Sequence, residues 1–380
     1  MKCFNNALVY VEGAGIKRRS IEFDEQILRI CKKSKAEEIE IPFDAIVLPG
    51  FIDQHVHGAG GSDGMDGTTK DISIIANILA KEGTTSFLAT TMTNSNENIL
   101  KSLTAVKDYI KSDNRDGARL LGVHLEGPFI SSAHKGAQPE ESVQEPDIKT
   151  FDEYNIASGN SIKVVTLAPE KKGADKLIRY LKENGVVASI GHSGAKYEDV
   201  ENAVLNGAKS VTHTFNAQTG LHHREVGVVG SAMLIDDLNC ELIADTIHVS
   251  VPAMKLLVKN KPSDKITLIT DAMRAKGMPD GESELGGQKV FVKNGEARLV
   301  DGTLAGSVLT MNKAVENMVN KVGVEFLKAV DYATINPAKN LGLDDKIGGI
   351  KVGKKADFTV IDKDFNVLLT VRDGKIIYKA

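Results

Sequence analysis

The stretch FIDQHVHGAGG, residues 51–61, sets His55 and His57 two positions apart at the end of an apolar run and before a glycine cluster. In an extended segment, residues i and i+2 share a face, so the two imidazoles stand side by side where the strand opens into a loop. Such a pair suits a metal ion, and it would equally suit two surface histidines near a turn. Further along the chain, other polar groups end apolar, β-branched runs in the same way. HLEGP carries Glu126, GHSGA carries His192, VTHTFNA carries His213, IADTIHVS carries His248 and LITDAM carries Asp271. Five of the nine histidines sit at such ends. Taken singly, His213 could be a core histidine, Glu126 a turn cap and Asp271 a helix N-cap. Taken together, they suggest one shared centre. A carboxylate with neutral imidazoles is a donor set for Zn²⁺ or Fe²⁺ rather than for Mg²⁺ or Ca²⁺, which favour oxygen shells. Such a centre brings the pKa of water to about 7. A carboxylate outside the ligand set can then move protons, and Asp271 is the candidate.

The elements that must position these groups alternate regularly. Candidate strands are IVLPGFID (46–53), TTSFLATT (84–91), LLGVHLE (120–126), IKVVTLA (162–168), GVVASIG (185–191), SVTHTF (210–215), CELIADT (240–246) and KITLITD (265–271). Helically spaced stretches such as TTKDISIIANILAKEG and GADKLIRYLKENG separate them, several ending in glycine. Eight strands alternating with helices predict parallel βαβ units and an α/β fold, a (β/α)8 TIM-like barrel whose typical size is about 250 residues. A doubly wound open sheet is the alternative. Chemistry in such a barrel gathers at the C-terminal strand ends, where the polar groups lie. Residues 1–49 and 345–380 read differently, as short β segments broken by turns, with RDGK (372–375) a hairpin candidate. We expect one small β-sandwich domain built from both termini, with the barrel (50–344) inserted between its halves.

Composition narrows the partners. The 380 residues carry a formal net charge of −4, which favours neither nucleic acid nor an acidic membrane. No apolar run is long enough to span a bilayer, and the N-terminus lacks a signal-peptide pattern. Cys3, Cys31 and Cys240 form no CxxC pair, so a reduced, cytoplasmic protein is expected.

The motifs PGFIDQHVHG, GVHLEGPFI, HKGAQPE, SIGHSGA, VTHTFNA, HHRE, LITDAM, LAGSVLTM and GGIKVGKKADFTVID span nearly the whole chain. With them the sequence resembles the amidohydrolase superfamily and, inside it, the amino-sugar-phosphate deacetylases. The resemblance implies hydrolysis of the acetamide of N-acetylglucosamine 6-phosphate to glucosamine 6-phosphate and acetate. It assigns Glu126, His192 and His213 as principal metal ligands, with a second ion possible at His55 and His57. His248 would polarise the amide carbonyl, and Asp271 would carry the proton. Gln138, Asn216, Ala217, Ala305 and Gly306 fall at substrate-binding positions. Arg224 matches an arginine that reaches the phosphate from the neighbouring subunit, which implies a homodimer. Four positions depart from the pattern: Gln54 and Val226 stand where an apolar residue and proline are usual, Gly194 and Gln218 where asparagine and methionine are common. They bear on the sugar pocket more than on the reaction type. The competing readings are deacylation of another N-acyl sugar or an N-acyl amino acid, and a non-catalytic amino-sugar-phosphate sensor. The resemblance also sets the chain apart from the superfamily's cyclic-amide hydrolases, many of which bridge two metals with a carboxylated lysine from strand 4, since IKVVTLAPE ends without a lysine.

Overall fold

In the computed structural model, which describes residues 1–380, eight parallel strands form the barrel. They are β1 (Phe51–Val56), β2 (Thr84–Thr90), β3 (Arg119–Glu126), β4 (Ile162–Leu167), β5 (Val187–Ile190), β6 (Ser210–Val211), β7 (Asn239–Ile243) and β8 (Ile266–Ile269). The seam between β8 and β1 closes just past the end of β8. Asp271 N donates to His55 O at 2.8 Å, and His57 N to Ala272 O at 2.9 Å. Closure therefore passes through His55, His57 and Asp271, three of the candidate site residues. Helices cover the outside by their apolar stripe. The first, α1 (Thr69–Lys81), is capped by Thr68, whose hydroxyl accepts from Asp71 N. It buries Ile72, Ile75, Ala76, Leu79 and Ala80, spaced as one helical face requires.

Two sequence expectations need correction. IVLPGFID is two strands. Ile46–Pro49 belongs to the terminal sheet, where Val47 pairs with Val9 and Val360, and β1 begins at Phe51. Gly50 makes the crossing because a Cβ there would lie 2.1 Å from Thr85 Oγ1. SVTHTF is strand only at Ser210–Val211, since the chain turns off the sheet before His213, whose φ is +28°. A three-stranded antiparallel sheet (Gly281–Leu285, Gln288–Lys293, Glu296–Leu299) after β8 was not expected at all. Its signals are in the sequence: Gly286-Gly287 and Asn294-Gly295 join its strands as two-residue loops, with all four φ values positive.

Both termini supply the second domain, as the alternating segments suggested. Eight strands, five from residues before Gly50 and three after Ala356, share one sheet. Phe4, Phe23 and Phe358 meet in its core with ring centroids 5.0–5.5 Å apart. RDGK forms the expected hairpin: Arg372 pairs with Lys375, and Asp373 and Gly374 have φ of 47° and 69°.

This hairpin is tied to the barrel. Arg119 on β3 holds Asp357 through both of its terminal nitrogens, at 2.8 and 3.0 Å, and reaches Asp373 at 2.8 Å. Burial raises the pKa of Asp373, but Arg119 and Lys355 outweigh that and bring it to about 2. A depressed carboxylate stabilises the fold fully above its unfolded pKa of about 3.9 and loses that contribution as pH falls toward 2. With allowance for nearby solvent, the contribution is about 1–2 kcal/mol. Asp373→Asn keeps a residue that tolerates positive φ. It should lower the urea midpoint at pH 7 and flatten the stability profile between pH 4 and 2. An unchanged profile would show that the pair contributes nothing.

Candidate metal centre

The strand ends converge. Glu126, at the end of β3, is the hub. Its Oε1 lies 3.1 Å from His192 Nε2, 3.0 Å from His213 Nε2 and 3.5 Å from His55 Nε2. Its Oε2 lies 3.2 Å from His57 Nε2. Asp271 Oδ1 is 3.4 Å from His55 Nε2 and 3.2 Å from His57 Nε2. Two donor triads result, Glu126–His192–His213 and His55–His57–Asp271, each with its ligand atoms within 4.8 Å of one another. All six side chains are buried. His192, His213 and Asp271 have φ of 49°, 28° and 48°, in the left-handed region that non-glycine residues seldom occupy. The chain takes this sharp turn just past β5, β6 and β8, and each turned residue meets the same centre. Backbone strain gathered at one cluster is a mark of a functional site.

Hydrogen bonds behind the rings select their tautomers. His192 Nδ1 donates to His134 O at 2.9 Å, and His55 Nδ1 donates to Glu241 Oε2 at 3.1 Å. Each ring thereby turns an Nε2 lone pair inward, the state a metal ligand needs. His55 Nε2 is buried without a hydrogen-bond partner. Three ring nitrogens and a carboxylate crowd one point, with His192 Nε2 and His213 Nε2 facing each other at 3.0 Å and both turned to Glu126 Oε1. This is a set of donors that fits a cation. The charge balance agrees. Burial disfavours the charged form of His57, yet Asp271 and Glu126 push it up to about 10. His55 is raised well above the usual range despite burial, by Asp271 and Glu126. Glu126 is held well below the carboxylate range by His55, His192 and His213 although burial opposes this, and Asp271 is lowered by His55 and His57 against the same opposition. The pocket thus draws positive charge to its imidazoles, and a divalent ion is the alternative to protons.

The cluster forms the floor of a cavity of about 220 Å³. Gln138, Asn216, Ala217, His248 and Gly306 line it, with Leu285 and Leu304 from the unexpected three-stranded region as its outer wall. His248 Nδ1 is 2.6 Å from Asp245 Oδ2, leaving Nε2 free. Gln138 Oε1 accepts from Thr93 N at 2.7 Å, which directs its Nε2 to Glu126 Oε2 at 2.9 Å. The amide therefore faces the metal centre as well as the cavity. Ala305 is buried and does not line the cavity. Arg224 lies outside it on an exposed turn, its Nη1 2.9 Å from His223 Nε2. Sequence reasoning missed Glu241, His124 and Asp245, and it tied Gln54 to the sugar pocket, whereas the side chain holds Glu241 behind the ligand rings. A lone acid inside NCELI, a strand buried along its whole length, was the available signal for Glu241.

The model of the amidohydrolase family matches residues 46–377 of this chain, and the chain belongs to that family. Within it, the chain falls among the N-acetylglucosamine-6-phosphate deacetylases. It is 42% identical to the Bacillus subtilis (strain 168) N-acetylglucosamine-6-phosphate deacetylase over 349 residues, 91% of this chain and 88% of the relative. It is 39% identical to an N-acetylgalactosamine-6-phosphate deacetylase of Escherichia coli O157:H7, over 85% of each chain. The crystal structure of the Pasteurella multocida N-acetylglucosamine-6-phosphate deacetylase superposes with a TM-score of 0.94 at 30% identity, over the full length of both chains.

Proposed function

We propose that this protein hydrolyses the acetamide of N-acetylglucosamine 6-phosphate, releasing acetate and glucosamine 6-phosphate in amino-sugar metabolism. The observation that carries the reading is the convergence of two inward-facing donor triads, one of them including Asp271, on the floor of one cavity. A divalent ion, zinc or iron, at Glu126, His192 and His213 would supply an acidified water and polarise the carbonyl. A second ion would use His55, His57 and Asp271. Asp271 accepts the proton of the attacking water and delivers it to the departing nitrogen, a poor leaving group until protonated. His248, held through Nδ1 by Asp245, presents Nε2 to the cavity, where an N–H on it would donate to the oxygen as negative charge develops. Asn216 and the Ala217 backbone orient the sugar, and Gln138 holds Glu126 on the cavity floor. The test is acetate release from N-acetylglucosamine 6-phosphate, its galacto epimer and unphosphorylated N-acetylglucosamine, with metal content assayed in the same samples. Turnover of the phosphorylated gluco sugar above both others supports the reading; none by metal-loaded protein overturns it.

One feature of the cavity bears on the phosphate. No lysine or arginine lines it, so a dianionic ester finds no cation from its own chain. Arg224, exposed and paired only with His223, is free to enter the cavity of a second copy in a homodimer, where its planar fork suits a phosphate. Arg224→Ala should raise KM for the phosphorylated sugar by about 10- to 100-fold, the worth of a charge-assisted hydrogen bond, with kcat little changed. Mixed dimers of Arg224→Ala with Asp271→Asn should regain a site that has both groups. Absence of such complementation would place Arg224 in its own subunit's site or in none.

A further inference from the structure

Gln54 is a buried amide on β1, and nothing in the proposed reaction uses it. Its side chain is buried and fully engaged. Gln54 Nε2 donates to Glu241 Oε1 at 2.6 Å, and its Oε1 accepts from Asn340 Nδ2 at 3.1 Å. Glu241 is wholly buried inside the barrel on β7. Its second oxygen, Oε2, takes the Nδ1 proton of His55 at 3.1 Å and the backbone N–H of His213 at 3.3 Å. The chain Asn340–Gln54–Glu241–His55 therefore runs along the barrel interior from its lower end to the ring nitrogen that faces Glu126 and Asp271.

Glu241, His55 and His124 also have their donor atoms close enough to suggest a cation site of their own. The geometry argues against it. His124 Nδ1 donates to Gln54 O at 3.0 Å, and its Nε2 accepts from Thr166 Oγ1 at 2.7 Å, so neither nitrogen is open. A buried carboxylate with no lysine or arginine among its partners instead accepts three hydrogen bonds, from Gln54, His55 and the His213 amide.

We infer that Gln54 and Glu241 are positioning residues that hold His55 in the tautomer and orientation needed to bind an ion, and that they govern occupancy of the His55–His57–Asp271 position. Both fixed oxygens matter. Gln54 anchors Oε1, so Oε2 cannot turn away from His55, and the anionic acceptor raises the basicity of the opposite ring nitrogen. Such outer partners of a ligand histidine change metal affinity by about 10- to 100-fold. The His192 ring has a neutral carbonyl in the same role, His134 O, so the two ion positions differ in their support.

The inference rests on the proposed reading that His55 is a ligand, and the experiment separates the two. Zinc stoichiometry and affinity are measured by elemental analysis and chelator competition for the wild type, His55→Ala, Glu241→Gln and Gln54→Leu, with thermal unfolding as the control for folding. Glu241→Gln should weaken the more labile ion by about 10- to 100-fold and the other by less than threefold. Gln54→Leu, which touches no ligand, should shift the same ion in the same direction by a smaller factor. If His55→Ala loses the labile ion while folded Glu241→Gln and Gln54→Leu bind both ions as the wild type does, the positioning role is overturned and the ligand assignment stands. If His55→Ala itself binds zinc as the wild type does, the ligand assignment fails and the inference with it. Equal weakening of both ions, in step with a lower melting temperature, would show a general structural role and overturn the inference as well.

Discussion

Asp271→Asn is expected to cut turnover of N-acetylglucosamine 6-phosphate by about 10²- to 10⁴-fold, the usual worth of a positioned acid–base group. The substitution is nearly isosteric, and asparagine tolerates the left-handed backbone at this position (φ +48°) as aspartate does, so the turn after β8 should survive. Asp271 N would still close the barrel onto His55 O. What is lost is the ability to take a proton from water and return it to nitrogen. The Glu126–His192–His213 triad does not include Asp271, so one ion should remain bound. Substrate should still bind, because the groups that line the cavity walls are untouched. The decisive measurement pairs acetate release with substrate calorimetry on metal-assayed protein. Turnover within threefold of the wild type would remove Asp271 from the reaction; loss of substrate binding as well would recast it as a structural residue.

The candidate site residues were legible because a barrel places each strand's last polar side chain at one mouth. His55, His57, Glu126, His192, His213 and Asp271 could be picked from five short motifs, and the structure brings all six within reach of one another. The hairpin at Asp373-Gly374 was legible for a local reason, since two-residue turns with positive φ demand such residues. Other features depended on contacts distant in sequence. Nothing in IVLPGFID reveals that Gly50 must pass against Thr85, so the switch of sheets between Pro49 and Phe51 was read as one strand. His213 looked like a strand residue, because SVTHTF alternates; only the turn that presents its ring to Glu126 removes it from the sheet.

The support of the rings was the least visible layer. Glu241 lies 186 residues from His55, and Gln54 reaches Asn340 across 286. Each looks anomalous in an apolar strand, and an anomaly alone does not name its partner. The hydrophobic pattern that builds the barrel is local and periodic, whereas the polar network inside it depends on which strands the barrel closes together. The same limit applies to Leu285 and Leu304, which wall the cavity from a segment whose hairpin loops were readable but whose docking place was not.

Glu126→Gln tests the hub. Glutamine keeps the volume and one acceptor, but it removes the charge and brings an NH₂ group toward ring nitrogens that are already donors or lone pairs. Glu126 Oε1 serves His192 and His213 while Oε2 serves His57, so one substitution disturbs both triads. Ion binding should fall at both positions. A Lewis-acid contribution of several kcal/mol then disappears, so turnover should fall by about 10²- to 10⁴-fold. Thermal unfolding gives a readout independent of activity. An ion that binds only the folded state stabilises it by about 2.7 kcal/mol at a concentration 100 times its Kd. Zinc should therefore raise the melting temperature of the wild type and leave that of Glu126→Gln almost unmoved. In the metal-free state the variant has one buried negative charge fewer to hold protons on His57 and His55, so those rings should lose their protons at lower pH than in the wild type. A variant that keeps both its zinc-induced shift and its turnover would show that the ion does not depend on this carboxylate, and the centre would have to be rebuilt around the histidines alone.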